Sequence, residues 1–197
     1  MCGIAGLFIK DPKLEPRLGE LLAKMTSTLC SRGPDSAGFA IYGRGENGQT
    51  KLTIAGGALE VDIARAAKLL VEAIGGGKVS MRHSHAVVTL KTEDVPRAEA
   101  WLAKNLPDVT IMSEGQRLEI YKEVGFPDDV AREFDISKMS GTHGISHTRM
   151  ATESAVTTNG AHPFSTATDQ CLVHNGSLSN HASLRRELRR EGIKIRT

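Results

Sequence analysis

The sequence has almost no charge excess, few aromatic residues, no paired cysteines and no long apolar run. Lys and Arg number 25 against 23 Asp and Glu, a formal net charge of +2 over 197 residues. That balance gives no electrostatic reason to bind nucleic acid. One Trp, two Tyr and five Phe leave little surface for base stacking. The cysteines, Cys2, Cys30 and Cys171, are odd in number and form no CxxC pair. A disulfide framework is not expected, and reduced thiols in a cytoplasmic setting are. The apolar start, residues 1–9, is too short to span a bilayer and stops at Lys10-Asp11-Pro12. It lacks the basic leader and cleavage site of an export signal, so Asn175-Gly176-Ser177 is not read as a glycosylation acceptor.

What is present describes an ordinary globular protein. Hydrophobic residues make up 40% and charged residues 24%, outside the range of disordered chains. The length lies between one typical domain and two.

Residues 2–9 read as a strand, and Leu14, Leu18, Leu21, Leu22, Met25 and Leu29 recur at helical spacing. Ser31-Arg32-Gly33-Pro34-Asp35 is loop chemistry. Residues 39–42 and 51–55 read as strands joined in a hairpin. Helical pattern follows at 61–74 and 95–106, strand pattern at 85–90, 109–112 and 118–124, and a short helix at 128–134. Residues 58–139 are therefore expected to form an inserted α/β subdomain with its own core. Strand signals return at 142–148 and 171–173. A basic helix, 180–192, carries Leu184 and Leu188 as a narrow apolar stripe, and Ile193-Lys194-Ile195 begins another strand.

Cys2 is the first residue with chemical promise. A small second residue permits removal of Met1, which leaves a cysteine with a free α-amino group. Such an amine titrates at about 7.7–8.0, well below a lysine, and can act as base for its own thiol. Flanking Gly3 and Gly6 let backbone and substrate approach closely. Taken alone, Met-Cys fits an ordinary start better than a catalytic one.

Arg149 follows a strand and can hold a carboxylate through two parallel hydrogen bonds, although an isolated Arg more often makes a surface salt bridge. Asn175 and the N–H of Gly176 could stabilise an oxyanion, and Asn-Gly is equally a hairpin turn. Gly75-Gly76-Gly77-Lys78 lacks P-loop spacing, and neither His83/His85 nor His143/His147 has a third ligand or a helical context, so no metal is expected.

Five segments in one order carry a resemblance: Cys2-Gly3-Ile4-Ala5-Gly6, Arg32-Gly33-Pro34-Asp35-Ser36-Ala37-Gly38, His147-Thr148-Arg149-Met150-Ala151-Thr152, Ala161-His162-Pro163-Phe164 and His174-Asn175-Gly176. Together they resemble the class II glutamine amidotransferases, the N-terminal nucleophile (Ntn) hydrolases with an N-terminal cysteine. The resemblance covers residues 1–57 and 140–197. It implies an α+β fold, a four-layer αββα sandwich, here with the 58–139 insert. It also implies Cys2 as nucleophile, Asn175 and Gly176 as oxyanion hole, Arg149 and Thr152 as glutamine-binding residues, and Arg32 and Asp35 as braces.

The insert, Met150 and Glu153-Ser154-Ala155 look most like a narrower branch, the amidotransferase-like subunit of N-methylglutamate synthase, related to part of glutamate synthase. That branch implies a hetero-oligomer whose synthase subunit, holding FMN with an iron–sulfur cluster as a further candidate, receives the ammonia. No cofactor is expected in this chain. Met150 and Glu153 stand where many members have Trp and His. The family's acidic motif, which holds the substrate α-amino group, is expected beyond Thr197, so the core is expected to be incomplete at this end. That absence is the argument for a second reading: a subunit with the fold and little glutaminase activity, kept for assembly or regulation.

Overall fold

The computed structural model describes residues 2–56, 61–151, 155–176 and 179–193. It is mixed α/β, built on antiparallel sheets. The first sheet runs in the order β1 (Gly3–Phe8), β8 (His143–Arg149), β2 (Ser36–Tyr42), β7 (Leu118–Val124). The second runs β4 (Lys78–Arg82), β5 (His85–Lys91), β3 (Gln49–Gly56), β6 (Val109–Gly115). A separate hairpin joins β9 (Phe164–Ala167) to β10 (Gln170–Leu172).

Strand alternation divides the core. On β2, Ala37, Phe39 and Ile41 pack with Leu18 and Leu22 of α1 (Leu18–Ser27) and Val130 of α4 (Pro127–Glu133). Ala40 and Tyr42, on the opposite face, meet Ala55 of β3, Met112 of β6, and Leu118 and Ile120 of β7. Leu52 and Ile54 of β3 turn the other way, toward α2 (Ile63–Ile74) and α3 (Val95–Asn105). Each fully buried aliphatic side chain contributes roughly 1.5–3 kcal/mol.

Local signals explain the helices. Asp62 caps α2 by accepting from the Arg65 N–H at 2.9 Å, and Gly75 ends it in the left-handed region at φ 86°. Ile63, Ala66, Ala67, Leu70 and Ile74 form its buried stripe. The periodicity that starts at Leu14 begins in a 3-10 turn, Pro12–Arg17, and α1 starts only at Leu18 because Pro16 lacks an N–H. A further helix, α5 (His181–Arg190), buries none of its residues, so the Leu184 and Leu188 stripe finds no core here.

The expected hairpin between residues 39–42 and 51–55 does not form. All seven positions of β2 are buried, and its two edges are taken by β7 and β8, so β3 pairs with β5 and β6 in the other sheet. Residues 58–139 supply both sheets: β5 and β6 flank β3 and β4 pairs with β5, whereas β7 pairs with β2. Strand β4, exposed at every position, alternates Val79 and Met81 with polar residues, a short pattern that the sequence reading does not mark as a strand. The strand expected at Ile193-Lys194-Ile195 has residues 194–197 outside the described residues.

Candidate active site at the edge of the first sheet

Antiparallel register brings three chain segments to one end of the first sheet. Gly3 pairs with Thr148, so Cys2 lies beside the end of β8, where Arg149 pairs with Ser36 at the start of β2. The 30–35 loop therefore arrives at the same place. Two glycines make this convergence possible. A Cβ at Gly3 would stand 2.8 Å from Thr148 Oγ1, and one at Gly33 would stand 2.5 Å from the Thr148 carbonyl carbon. At Gly33 no other residue fits without displacing backbone, and at Gly3 one would have to displace the Thr148 and Leu29 side chains.

Asp35 latches the segment after β8. Its N–H donates to the Arg149 carbonyl at 3.0 Å, its carboxylate accepts from the Ala151 N–H at 2.8 Å, and its carbonyl accepts from Gly125 at 3.0 Å. Two side chains converge on the Cys2 carbonyl: Asn175 Nδ2 at 3.0 Å and Arg32 Nε at 3.5 Å. An amide NH₂ has two hydrogens, so this bond fixes Asn175 while one donor remains for a second acceptor. The half-buried Cys2 Sγ lies 3.9 Å from the Met150 carbonyl. Arg149 Nη1 donates to the Ala155 carbonyl at 3.4 Å.

Of the residues marked by sequence, Cys2, Arg32, Asp35, Arg149, Asn175 and Gly176 are thus described, and the first five are linked by contacts around Cys2 and the end of β8. Gly176 follows Asn175 directly, with the His174 ring 3.2 Å from where a Cβ would be. Thr152 and Glu153 lie outside the described residues.

Beyond their place in the matched segments, sequence reasoning gave His147 only the metal reading it set aside, and His162 no chemistry. His147 is buried, and its Nε2 donates to the His174 carbonyl at 3.2 Å, which steadies the turn that carries Asn175. The His162 ring lies 4.5 Å from the His147 ring, centroid to centroid. Burial pushes their pKa values down to about 4 for His147 and about 3 for His162, so both are neutral near pH 7. The HxxxH spacing of His143 and His147 falls on a strand, and among the described residues no cluster of three His, Cys, Asp or Glu could hold a metal ion. His83 sits in the β4–β5 turn with φ 48° and not on a strand beside His85.

No family model matches the chain. Its full 197 residues are 57% identical to the glutamine amidotransferase-like protein GlxB of Rhizobium meliloti, of which they cover 65%. A protein of Methanothermobacter thermautotrophicus whose name also carries glutamine amidotransferase is 34% identical over 98% of the chain and 66% of its own length. A shorter similarity, 34% over 84 residues, reaches glutamine–fructose-6-phosphate aminotransferase of Idiomarina loihiensis, covering 43% of this chain and 14% of that one. These similarities support a glutamine amidotransferase family. The chain spans about two thirds of the length of the first two relatives. As for the membrane, no described helix is long and apolar enough to cross one.

Proposed function

We propose that the chain supplies the glutaminase half of a class II, Ntn-type glutamine amidotransferase. The observation that carries this reading is the meeting of Cys2, Arg149 and Asn175 at one sheet end, with Asn175 hydrogen-bonded to the carbonyl of Cys2 across 173 positions of sequence. The packing of α1 and α4 on one sheet and α2 and α3 on the other supports the αββα arrangement this class would have.

Loss of Met1 exposes the Cys2 amine, which takes the thiol proton. The thiolate attacks the side-chain amide carbon of glutamine, and the new oxyanion is met by Asn175 Nδ2 and the Gly176 N–H. Collapse returns the proton to the leaving nitrogen, expels ammonia and leaves a γ-glutamyl thioester. Water then adds to the thioester carbonyl, losing a proton to the amine; the C–S bond breaks, glutamate leaves, and the thiolate recovers that proton. Arg149 grips the α-carboxylate, and Thr152 is the second residue assigned to glutamine binding. Arg32 and Asp35 brace the site without touching substrate. The ammonia passes to a synthase subunit, the proposed holder of FMN, in N-methylglutamate or glutamate synthesis.

Glutamine turnover by protein lacking Met1, with its partners present, tests this reading. Cys2→Ala should abolish turnover and leave folding nearly unchanged. Arg149→Lys should chiefly raise KM, because a point charge cannot reproduce a two-pronged contact. Turnover by Cys2→Ala at the parent rate would refute the assignment.

A further inference from the structure

Lys122 is a buried cation that the proposed reaction does not use. It is 3% exposed, and among the described residues no carboxylate pairs with it. Burial pushes its pKa down to about 8. A lysine held this way, without a counter-charge, is unfavourable for the fold unless its donors are well used. They are used on one segment. Nζ donates to the Ala161 carbonyl at 2.8 Å and to the Asn159 carbonyl at 3.3 Å, and it lies 4.5 Å from the centre of the Phe164 ring.

The register explains why this segment matters. Lys122, Gly38, His147 and Ile4 pair across the first sheet two residues along from the Arg149–Ser36–Val124 row, and so share its face. Gly38 has no side chain, so the backbone carbonyl of His162 passes directly over it. Residues 155–164 therefore lie across the face that carries Arg149. The two carbonyls bound by Lys122 flank Gly160. A Cβ on Gly160 would be 3.2 Å from Arg149 Nη1, so the guanidinium rests against Gly160 backbone. The neighbouring Glu123 secures the same segment by accepting from Thr158 Oγ1.

We propose that Lys122 is a positioning residue for substrate binding: by holding the carbonyls on both sides of Gly160 it sets the backbone wall that aims the Arg149 guanidinium. The inference rests on the reading of Arg149 as the carboxylate-binding residue. Lys122 never touches substrate. Its cost in buried charge is offset by a fixed wall at a point where a small displacement would spoil a two-pronged contact.

The test compares Lys122→Met, similar in shape but without donors, with Lys122→Arg and Gly160→Ala. In Lys122→Met the KM for glutamine should rise about tenfold with kcat within about threefold of the parent, the signature of lost binding without lost chemistry. Lys122→Arg should recover most of that loss, and Gly160→Ala should reproduce it by pressing on Arg149. Amide exchange at Gly160 and Ala161 should quicken in Lys122→Met, and alkylation of Cys2 by iodoacetamide, which needs no carboxylate contact, should be unchanged. Faster exchange with an unaltered KM would overturn the proposal. So would equal losses in Lys122→Met and Lys122→Arg. Absence of turnover in the parent protein would instead sink the glutaminase reading, which separates the two failures.

Discussion

Asn175→Ala removes an exposed side chain that, among the described residues, makes one hydrogen bond, to the Cys2 carbonyl at 3.0 Å. The two consequences differ in size. For the fold, an exposed hydrogen bond of this kind contributes roughly 0.5–1.5 kcal/mol. For turnover, loss of one oxyanion donor lowers kcat by about 10²–10³, or roughly 2.7–4 kcal/mol of transition-state stabilisation. The assay is steady-state glutamine hydrolysis by the Met1-free protein with its partners, alongside urea unfolding of the same variant. A kcat within about threefold of the parent would refute the oxyanion role. A loss of stability that matched the loss of turnover would assign Asn175 to structure alone. Asn175→Asp sharpens the comparison, since it keeps the shape and replaces the donor with an acceptor that repels the developing charge.

Other substitutions probe the scaffold. Gly33→Ala places a methyl 2.5 Å from the Thr148 carbonyl carbon and 2.6 Å from the Arg149 nitrogen. It should lower stability by about 1–3 kcal/mol, read as a drop in Tm, and reduce turnover with it. Asp169 accepts from the backbone N–H groups of Gln116, Arg117 and Leu118 at 3.0, 2.8 and 2.9 Å, tying the β9–β10 hairpin to the β6–β7 turn. Asp169→Ala should destabilise by about 2–4 kcal/mol in urea and weaken turnover, because that hairpin leads into Asn175. Burial lowers the pKa of His85 and of His147 to about 4. An unfolded imidazole titrates near about 6.5, so below that pH the unfolded chain takes up the protons first. Stability should be full above about pH 6.5 and fall as pH drops toward 4, by on the order of 3 kcal/mol for His85. Urea unfolding at pH 7.5 and 5 measures this, and His85→Gln should flatten the slope.

Most strands and helices were legible because their apolar periods are plain: Ile63, Ala66, Leu70 and Ile74 mark one helix face, and residues 118–124 read as strand without help. Pairing was not legible. Nothing in residues 43–50 says that β2 and β3 separate into different sheets, because that follows from β7 and β8 occupying both edges of β2. Strand β4 was missed although Val79 and Met81 alternate with polar residues, because five residues give too short a period to stand out. At the site, Cys2, Arg149 and Asn175 drew notice through their own chemistry. His147 acts through a backbone carbonyl and Lys122 through two, and such partners are fixed by tertiary register. The glycines at 3, 33 and 38 were visible as residues, but the side chains that crowd Gly3 and the backbones that crowd Gly33 and Gly38 were not.

The most direct test of the central claim is the intact mass of the protein, with its partners, after exposure to an electrophilic glutamine analogue. The account predicts loss of Met1 and one adduct on Cys2, with excess glutamine protecting it and Cys30 and Cys171 unlabelled. A protein that has lost Met1 and takes no adduct at Cys2 would contradict it.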